Sequence, residues 1–401
     1  MDKKPTKETK VIREAAGITL NRYGTFLGTI KNISAEFAGK LAGCFERELA
    51  KAPTDKERKE TVDALHRDLS QSQVSSNIQE ESLTSRFFLT KQEVDWMGRR
   101  QDSLWMDYLV YRYQFKIYPK TRKLRAFPLH LLIEPTSVCN LRCVMCFQVD
   151  ASFTKKEFMG FIPWELFANV VDQAKEHNCH AITMASRGEP TMAKPFGKML
   201  RYCGEAGIMD IKINTNATKL TEELCHDIFS AGVSEVVFSV DAGTKQSYEE
   251  IRVLGKFDEV LANIERFNEI RARYYPKAPT ITRISGVLVR DDQDVDQMTN
   301  FWSKLVDQVT IKRATPRWDS YNNAPTHVGN PCGFLWERTY VWYDGKVNPC
   351  DFDYKSYLCV GDALKTPISE IWRGESYEKL RQDHLDKRRA GRVPCDRCPI
   401  Y

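Results

Sequence analysis

His130-Leu-Leu-Ile-Glu134-Pro-Thr-Ser-Val-Cys139-Asn-Leu-Arg-Cys143-Val-Met-Cys146 joins a short β-rich run to three cysteines spaced C-x3-C-x2-C. The apolar run reads as a strand, His130 to Glu134, and the Pro and Ser that follow end it. Three thiolates in a loop at a strand's carboxyl end suit three corners of a cubane four-iron cluster and leave the fourth iron open. An open iron binds nitrogen and oxygen donors, whereas a cluster closed by four thiolates only passes electrons. The alternative is a zinc knuckle, although zinc sites pair cysteines as C-x2-C and need four ligands for a closed tetrahedron.

Downstream of this loop the chain repeats one pattern. Strand-like runs at Ala181 to Ser186, Asp210 to Asn214, Glu235 to Val240, Ile281 to Val289 and Gln308 to Arg313 alternate with helical patterns. The helical patterns are Pro163 to Glu176, Phe196 to Ala206, Thr221 to Ala231, Phe257 to Arg273 and Val295 to Leu305. Six strand–helix units in succession predict an α/β fold with a parallel sheet and helices outside it, open or curled into a partial (β/α)6 barrel. In such sheets the reactive loops follow the carboxyl ends of the strands. This part spans about 128–315. Before it, residues 1–127 read as a mainly helical extension, with helical spacing at Ala35 to Ala50 and Lys56 to Leu69 and an N-cap at Thr90. Ser70 to Ser85, polar and rich in Ser and Gln, reads as a linker. After it, 316–401 is short in regular structure, and a metal centre would hold its fold.

The 401 residues suit two or three domains. Composition, 42 % hydrophobic and 28 % charged, is that of a globular chain. No apolar run approaches the roughly 18 residues of a membrane helix. Met1 to Lys10 leads into charged sequence, so a cytoplasmic location without a membrane partner is expected. Twelve cysteines in a reducing compartment point to metal or redox use. The net charge of +5 is uneven: residues 1–130 carry +7 and the rest −2. The excess peaks at Tyr111 to Arg125, where six basic residues alternate with Tyr111, Tyr113, Phe115 and Tyr118. That segment reads as a solvated strand with its aromatics turned inward, or as a surface for an anionic substrate or nucleic acid. The first reading is preferred, so no nucleic-acid partner is expected.

With these residues in place the sequence resembles the radical S-adenosylmethionine (SAM) enzymes. In that family the open iron chelates the amino and carboxylate groups of SAM, and an electron from the reduced cluster cleaves it to a 5′-deoxyadenosyl radical. The resemblance assigns Cys139, Cys143 and Cys146 to that cluster. Arg187-Gly188-Glu189-Pro190, after the second strand, is similar to the element that holds the methionine amine. Asn214-Thr215-Asn216 resembles the polar element near the ribose. Ser239-Val240-Asp241 resembles the fourth-strand pair, with Arg252 placed for the methionine carboxylate. Ile284 to Val289, with Leu288, resembles the apolar strand beside the adenine. The residue before the third cysteine is usually aromatic and packs near the adenine. Here it is Met145, with Phe147 on the other side, a polarisable substitute.

A second set, Cys332-x17-Cys350 followed by Cys395-x2-Cys398, resembles the SPASM and twitch C-terminal domains of the same family, nearest the single-cluster twitch type. Tyr343-Asp-Gly345-Lys-Val347 reads as a hairpin through its Asp-Gly turn. Four thiolates close a second 4Fe–4S cluster for electron transfer, with a four-ligand zinc site as the alternative. Cys179, Cys203 and Cys225 read as buried small apolar residues, and Cys359 as a hydrogen-atom donor or a bystander.

The resemblance implies an oxidoreductase with SAM and two clusters. It would abstract hydrogen from a sugar or aminocyclitol carbinol and pass the second electron to the auxiliary cluster. A flavodoxin or ferredoxin would be the external electron donor. The base is unassigned; Arg290, Arg313 and His327 fall where substrate-facing groups lie. A peptide-modifying maturase that forms thioethers or epimerises residues is the second reading, and a non-catalytic iron–sulfur or zinc protein the third.

Overall fold

Six parallel strands form the frame: β2 (His130–Ile133), β3 (Ala181–Met184), β4 (Asp210–Thr215), β5 (Glu235–Ser239), β6 (Ile281–Leu288) and β7 (Gln308–Arg313). The computed structural model describes residues 22–24, 33–51, 55–71, 85–315, 317–326 and 328–398. The Ser/Gln-rich stretch lies mostly outside them, as does His327. The six strands stand side by side in chain order, and a short antiparallel strand, β1 (Arg22–Gly24), flanks β7. Chain-order neighbours joined by right-handed crossovers put every connecting helix on one face and leave the other free, the arrangement of a sheet curling toward a barrel.

The strand and helix expectations hold within one to three residues. Trp164–Glu176, Phe196–Glu205, Glu222–Ser230, Phe257–Tyr274 and Val295–Trp302 fill the crossovers, with one further helix, Lys245–Ile251, after β5. Side-chain oxygens fix their starts: Thr221 Oγ1 accepts from Leu224 N at 3.2 Å and Asp294 Oδ1 from Gln297 N at 2.9 Å. Alternate strand residues Ile211, Ile213, Val236, Phe238, Ile284, Val309 and Ile311 meet Val170, Leu200, Ile228, Ile264 and Trp302 in one buried core. Full burial of each such side chain stabilises by about 1.5–3 kcal/mol. The intervening positions, Lys212, Asn214, Ser239, Ser285 and Val287, are half-buried on the inner face. Cys179, Cys203 and Cys225 belong to the apolar core as expected.

The N-terminal region holds the expected helices Ala35–Leu49 and Lys56–Gln71, then Lys91–Gly98, where Glu93 Oε2 accepts from the Thr90 N–H at 2.9 Å. Tyr111 to Arg125 departs from its reading. Most of it belongs to a helix, Trp105–Thr121, and the aromatics that alternate like strand residues turn out to be i, i+4 neighbours, Tyr111 and Phe115 having centroids 5.9 Å apart. Its basic residues are divided, with Lys120 and Lys123 exposed and two others turned inward. Arg112 and Lys116 converge on the fully buried Glu93 at 2.8 and 3.0 Å. This helix closes the amino end of the sheet: Tyr111 meets His180, and Phe115 meets His130 at the start of β2. Arg99 donates to the Thr280 carbonyl just before β6, and Gln308, which opens β7, donates to Asp95. The basic stretch therefore lies opposite the cysteine loop.

The C-terminal region is richer in regular structure than its sequence suggests. β8 (Arg338–Val341) pairs in parallel with β2 and extends the sheet, followed antiparallel by β9 (Lys346–Asn348) and β10 (Gly361–Asp362). The Asp-Gly hairpin is present, with Gly345 at φ 86°. Two helices, Ile368–Arg373 and Glu375–Leu385, pack behind it.

Candidate functional site

The three-cysteine loop leaves the carboxyl end of β2 and is held from three sides. Arg142 N and Val144 N donate to the carbonyls of Val253 and Ile251, tying the loop to the end of helix Lys245–Ile251. Asn140 Oδ1 accepts from Asn216 Nδ2 at 3.0 Å, and Asn140 Nδ2 donates to Thr218 Oγ1 at 2.8 Å, tying it to the loop after β4. Gln148 Nε2 donates to the carbonyls of Ser137 and Arg187 at 2.8 and 2.7 Å, tying it to the loop after β3.

All twelve cysteines are free thiols. Among the described residues no three Cys, His, Asp or Glu side chains gather tightly enough to enclose one metal ion. A cubane spreads its ligands over four irons, so wider thiol sets suit it. Cys139, Cys143 and Cys146 sit in mutual electrostatic range. Burial, aided by Glu189 and the other two thiols, pushes Cys139 up to about 12, and burial with Cys143 nearby pushes Cys146 up to about 11. Cys332, Cys350, Cys395 and Cys398 form a second such group. Burial and Cys398 raise Cys332 to about 12, and burial and the other three cysteines raise Cys350. Buried thiols that oppose each other's ionisation are a donor set that a cationic iron core relieves, which fits both groups to iron–sulfur clusters.

The loop after β3 carries Gly188 with no room for a side chain: a Cβ there would lie 2.4 Å from the Thr136 carbonyl oxygen and 2.5 Å from that of Val138. Just before it, Ser186 has φ 138°, and its hydroxyl is buried without a partner. Strain and an orphan hydroxyl at the same turn mark a place built for a ligand. Glu189 is buried. Its Oε1 accepts from Thr191 N, Thr191 Oγ1 and Thr215 Oγ1, and Oε2 accepts only from Asn216 N at 2.6 Å. Oε2 therefore keeps acceptor capacity for an ammonium group. Burial holds the Glu189 carboxyl above its ordinary value. Pro190 opens a short 3-10 turn beside it. Asn214 on the inner face has a buried Oδ1 without a partner, another orphan acceptor.

Asp241 and Arg252 come together as the sequence suggests: Arg252 Nε donates to Asp241 Oδ2 at 2.7 Å, and Asp241 Oδ1 accepts from Val287 N at 2.9 Å. Arg252 also lies beside Cys143 and resists its rise in pKa. Ser239, half-buried on the inner face of β5, pairs across to Ser285.

Other expected positions are placed differently. Leu288 belongs to the helix-side core, so Val287 is the inner-face residue of that strand; period-2 alternation turns a one-residue offset into the opposite face. Phe147 is buried in an aromatic group, stacked on Tyr354 at 4.9 Å and edge-on to Phe153 at 5.4 Å, while Met145 stays half-exposed. Arg290 pairs with Glu250 and Asp292 at a polar surface hollow, and Arg313 is exposed and pairs with Asp291. Neither is turned to the inner face. Cys359 is exposed, its thiol donating to the Gly361 carbonyl at 3.2 Å.

Residues the sequence reading missed join the two thiol groups. Glu134, fully buried, accepts from Arg187 Nε at 2.8 Å, Arg187 Nη2 at 2.5 Å and Tyr343 N at 3.2 Å. Arg187 Nη1 reaches the Tyr354 carbonyl at 3.0 Å, and its guanidinium lies 4.4 Å from the Trp342 ring centroid. Leu132 of β2 packs with Tyr340, Trp342 and Cys350. Arg317 pairs with Asp351, within electrostatic range of Cys146 and Tyr340, and its Nε is buried without a partner. The signal for Glu134 and Arg187 was charge at strand ends next to the motifs; nothing local marked Arg317.

Residues 133–301 match the radical SAM superfamily, and residues 332–399 match SPASM, an iron–sulfur cluster-binding domain. A GTP 3′,8-cyclase of Desulforamulus reducens is 28% identical over 42% of this chain and 51% of its own length. A tungsten-containing aldehyde ferredoxin oxidoreductase cofactor-modifying protein of Pyrococcus furiosus is 35% identical over 28% of this chain and 30% of its own. The chain thus spans about half, or less, of the curated relatives it matches. The structure of Streptococcus suis SuiB bound to S-adenosylmethionine superposes with a TM-score of 0.50 at 16% identity, covering 70% of this chain and 71% of that one, a likeness of fold.

Proposed function

Because the chain belongs to the radical SAM superfamily and carries a SPASM cluster-binding domain, with SAM and two iron–sulfur clusters as its cofactors, we propose that it is an oxidative radical enzyme acting on a small carbinol substrate such as a sugar or aminocyclitol. The observation that carries this reading is the apolar cluster between its two thiol groups: Cys350 packs against the group of Leu132, Tyr340 and Trp342, and Leu132 lies in the strand that runs into the three-cysteine loop. A cluster anchored on the same strand would offer an electron from the substrate its acceptor.

Cys139, Cys143 and Cys146 would hold the open cluster, and Cys332, Cys350, Cys395 and Cys398 the closed one. When bound, the first cluster and SAM supply a 5′-deoxyadenosyl radical. The chain's own residues bind and orient. Glu189 offers Oε2 to the methionine ammonium, with Gly188 and Pro190 shaping the turn around it. Arg252, steadied by Asp241, is placed for the methionine carboxylate, and Asn214, Asn216 and Ser239 supply polar groups for the ribose. Asn216 does so while fixing the cysteine loop through Asn140. Met145 and Val287 offer apolar surface for the adenine. Arg317, with its unpaired Nε–H, lies within electrostatic range of Cys146 and pairs with Asp351 beside Cys350, so it would be a substrate-facing group. The helical region to about residue 127 acts as a floor, with the radical core over about 128–315 and the cluster domain over about 316–401.

Anaerobic reconstitution with iron and sulfide analysis tests the reading: two cubanes require about eight irons per chain. About four irons with one zinc would remove the electron acceptor and with it the oxidative reading. Transfer of deuterium from carbinol-deuterated sugars or aminocyclitols into 5′-deoxyadenosine then tests the substrate class.

A further inference from the structure

Arg187 has its backbone in the turn that presents Glu189 and its side chain among residues of the C-terminal region. Its N–H donates to Glu134 Oε1 at 3.2 Å and its carbonyl accepts from Gln148 Nε2 at 2.7 Å, with Ser186 at φ 138° on one side and the crowded Gly188 on the other. From that turn the buried guanidinium makes three further bonds. Nε and Nη2 hold the Glu134 carboxylate, which also accepts from Tyr343 N, and Nη1 donates to the Tyr354 carbonyl at 3.0 Å. Its face lies 4.4 Å from the Trp342 ring centroid.

The far end of this link leads directly to the second thiol group. Trp342 and Tyr340 belong to the apolar group against which Cys350 packs, and Tyr354 follows Cys350 by four residues. Asp353 closes the turn between them, accepting from Tyr357 N at 2.9 Å, Leu358 N at 2.6 Å and the Tyr321 hydroxyl at 2.8 Å. The Tyr354 ring stacks on Phe147, the neighbour of Cys146. A buried ion pair alone would need only the bidentate fork on Glu134. The added bond to Tyr354 and the stacking on Trp342 use the rest of the planar guanidinium, which a point charge such as Lys cannot imitate. Where the Cys350 loop sits therefore sets the guanidinium, and the guanidinium sets the turn that carries Glu189, a contiguous route between two distant stretches of chain. We propose that Arg187 is a positioning residue that couples the two cofactor sites: a filled four-cysteine site fixes the Cys350–Tyr354 loop, and through Arg187 holds the Gly188–Glu189 turn in the form that binds SAM. The coupling is independent of the substrate and rests on SAM and a cluster occupying the two sites.

Equilibrium dialysis of SAM against the anaerobically reconstituted full chain tests the coupling, with iron analysis of the same samples. The second site is emptied by replacing Cys332, Cys350, Cys395 and Cys398 with Ala. With Arg187 in place, emptying it should weaken SAM binding about tenfold, within the roughly 5–150-fold usual for coupled sites. Arg187→Lys keeps a cation beside Glu134 but cannot also reach Tyr354. In that background SAM binding should already be weaker by a similar factor with the second site filled, and emptying the site should change it by less than about threefold. Glu134→Leu/Arg187→Met strands neither charge and repeats the comparison in a chain without the ion pair; it too should show no dependence on the second site. An Arg187 that serves packing alone would leave the tenfold difference intact in both variant chains, and that result overturns the proposal. So does a SAM affinity that is unchanged when the second site is emptied with Arg187 present. A parent chain that loads both clusters yet binds no SAM would overturn the assignment of the Glu189 turn, and the coupling with it.

Discussion

Replacing Arg187 by Met should destabilise the chain by about 3–5 kcal/mol, because it strands a buried carboxylate. Glu134 is 0% and Arg187 3% exposed. The substitution removes both guanidinium bonds to Glu134 and the bond to the Tyr354 carbonyl, leaving only the Arg187 and Tyr343 N–H groups, each at 3.2 Å. Glu134→Leu should cost a similar amount by stranding the guanidinium. The double variant Glu134→Leu/Arg187→Met strands neither charge, so its loss should be smaller than that of either single variant, giving a coupling of at least about 3 kcal/mol between directly contacting groups. Denaturant unfolding of the anaerobic holoprotein, with the slope checked for constancy across the four chains, measures this cycle. A double variant as unstable as the sum of the two singles would refute the reasoning and assign the cost to packing around Trp342.

Further predictions concern the SAM turn, the floor and the spare thiol. Glu189→Gln should weaken SAM binding by about 10–100-fold in equilibrium dialysis, the loss expected for a charge-assisted hydrogen bond in a buried site. Gly188→Ala should abolish SAM binding, since its Cβ meets two backbone carbonyls rather than a movable side chain. Lys116 and Arg112, outweighing burial, hold the Glu93 carboxyl down at about 2 from its ordinary 4.5. A depressed folded-state pKa means its stabilisation is present above about pH 4.5 and is lost as pH falls toward 2. The unfolding midpoint of the metal-free protein should drop across that window, and Glu93→Gln should flatten the drop. Cys359→Ala should leave both 5′-deoxyadenosine formation and substrate turnover unchanged; lost turnover with 5′-deoxyadenosine still formed would favour epimerisation.

The parallel frame was legible because its strands and helices switch between the two hydrophobic periods at every crossover, and each cofactor motif follows a strand end. What stayed hidden depended on partners distant in sequence. β8 carries no mark of its pairing with β2, because a strand of four residues is defined by its neighbour. Tyr111 to Arg125 alternates as a strand would, and only the buried Glu93, from another helix, shows that Arg112 and Lys116 face inward. Leu288 and Val287 are equally apolar, so register alone decided which faces the site. The cysteines were found by spacing, whereas the pairing of Glu134 with Arg187 was not, since the two meet only across the fold.

The proposed function stands on the three-cysteine loop binding a cluster that activates SAM. Anaerobically reconstituted protein should be incubated with SAM and dithionite, and the products separated by chromatography. The parent chain should yield 5′-deoxyadenosine and Cys143→Ala none. A parent that holds a full complement of iron yet yields no 5′-deoxyadenosine, or a Cys143→Ala chain that yields as much as the parent, would contradict it.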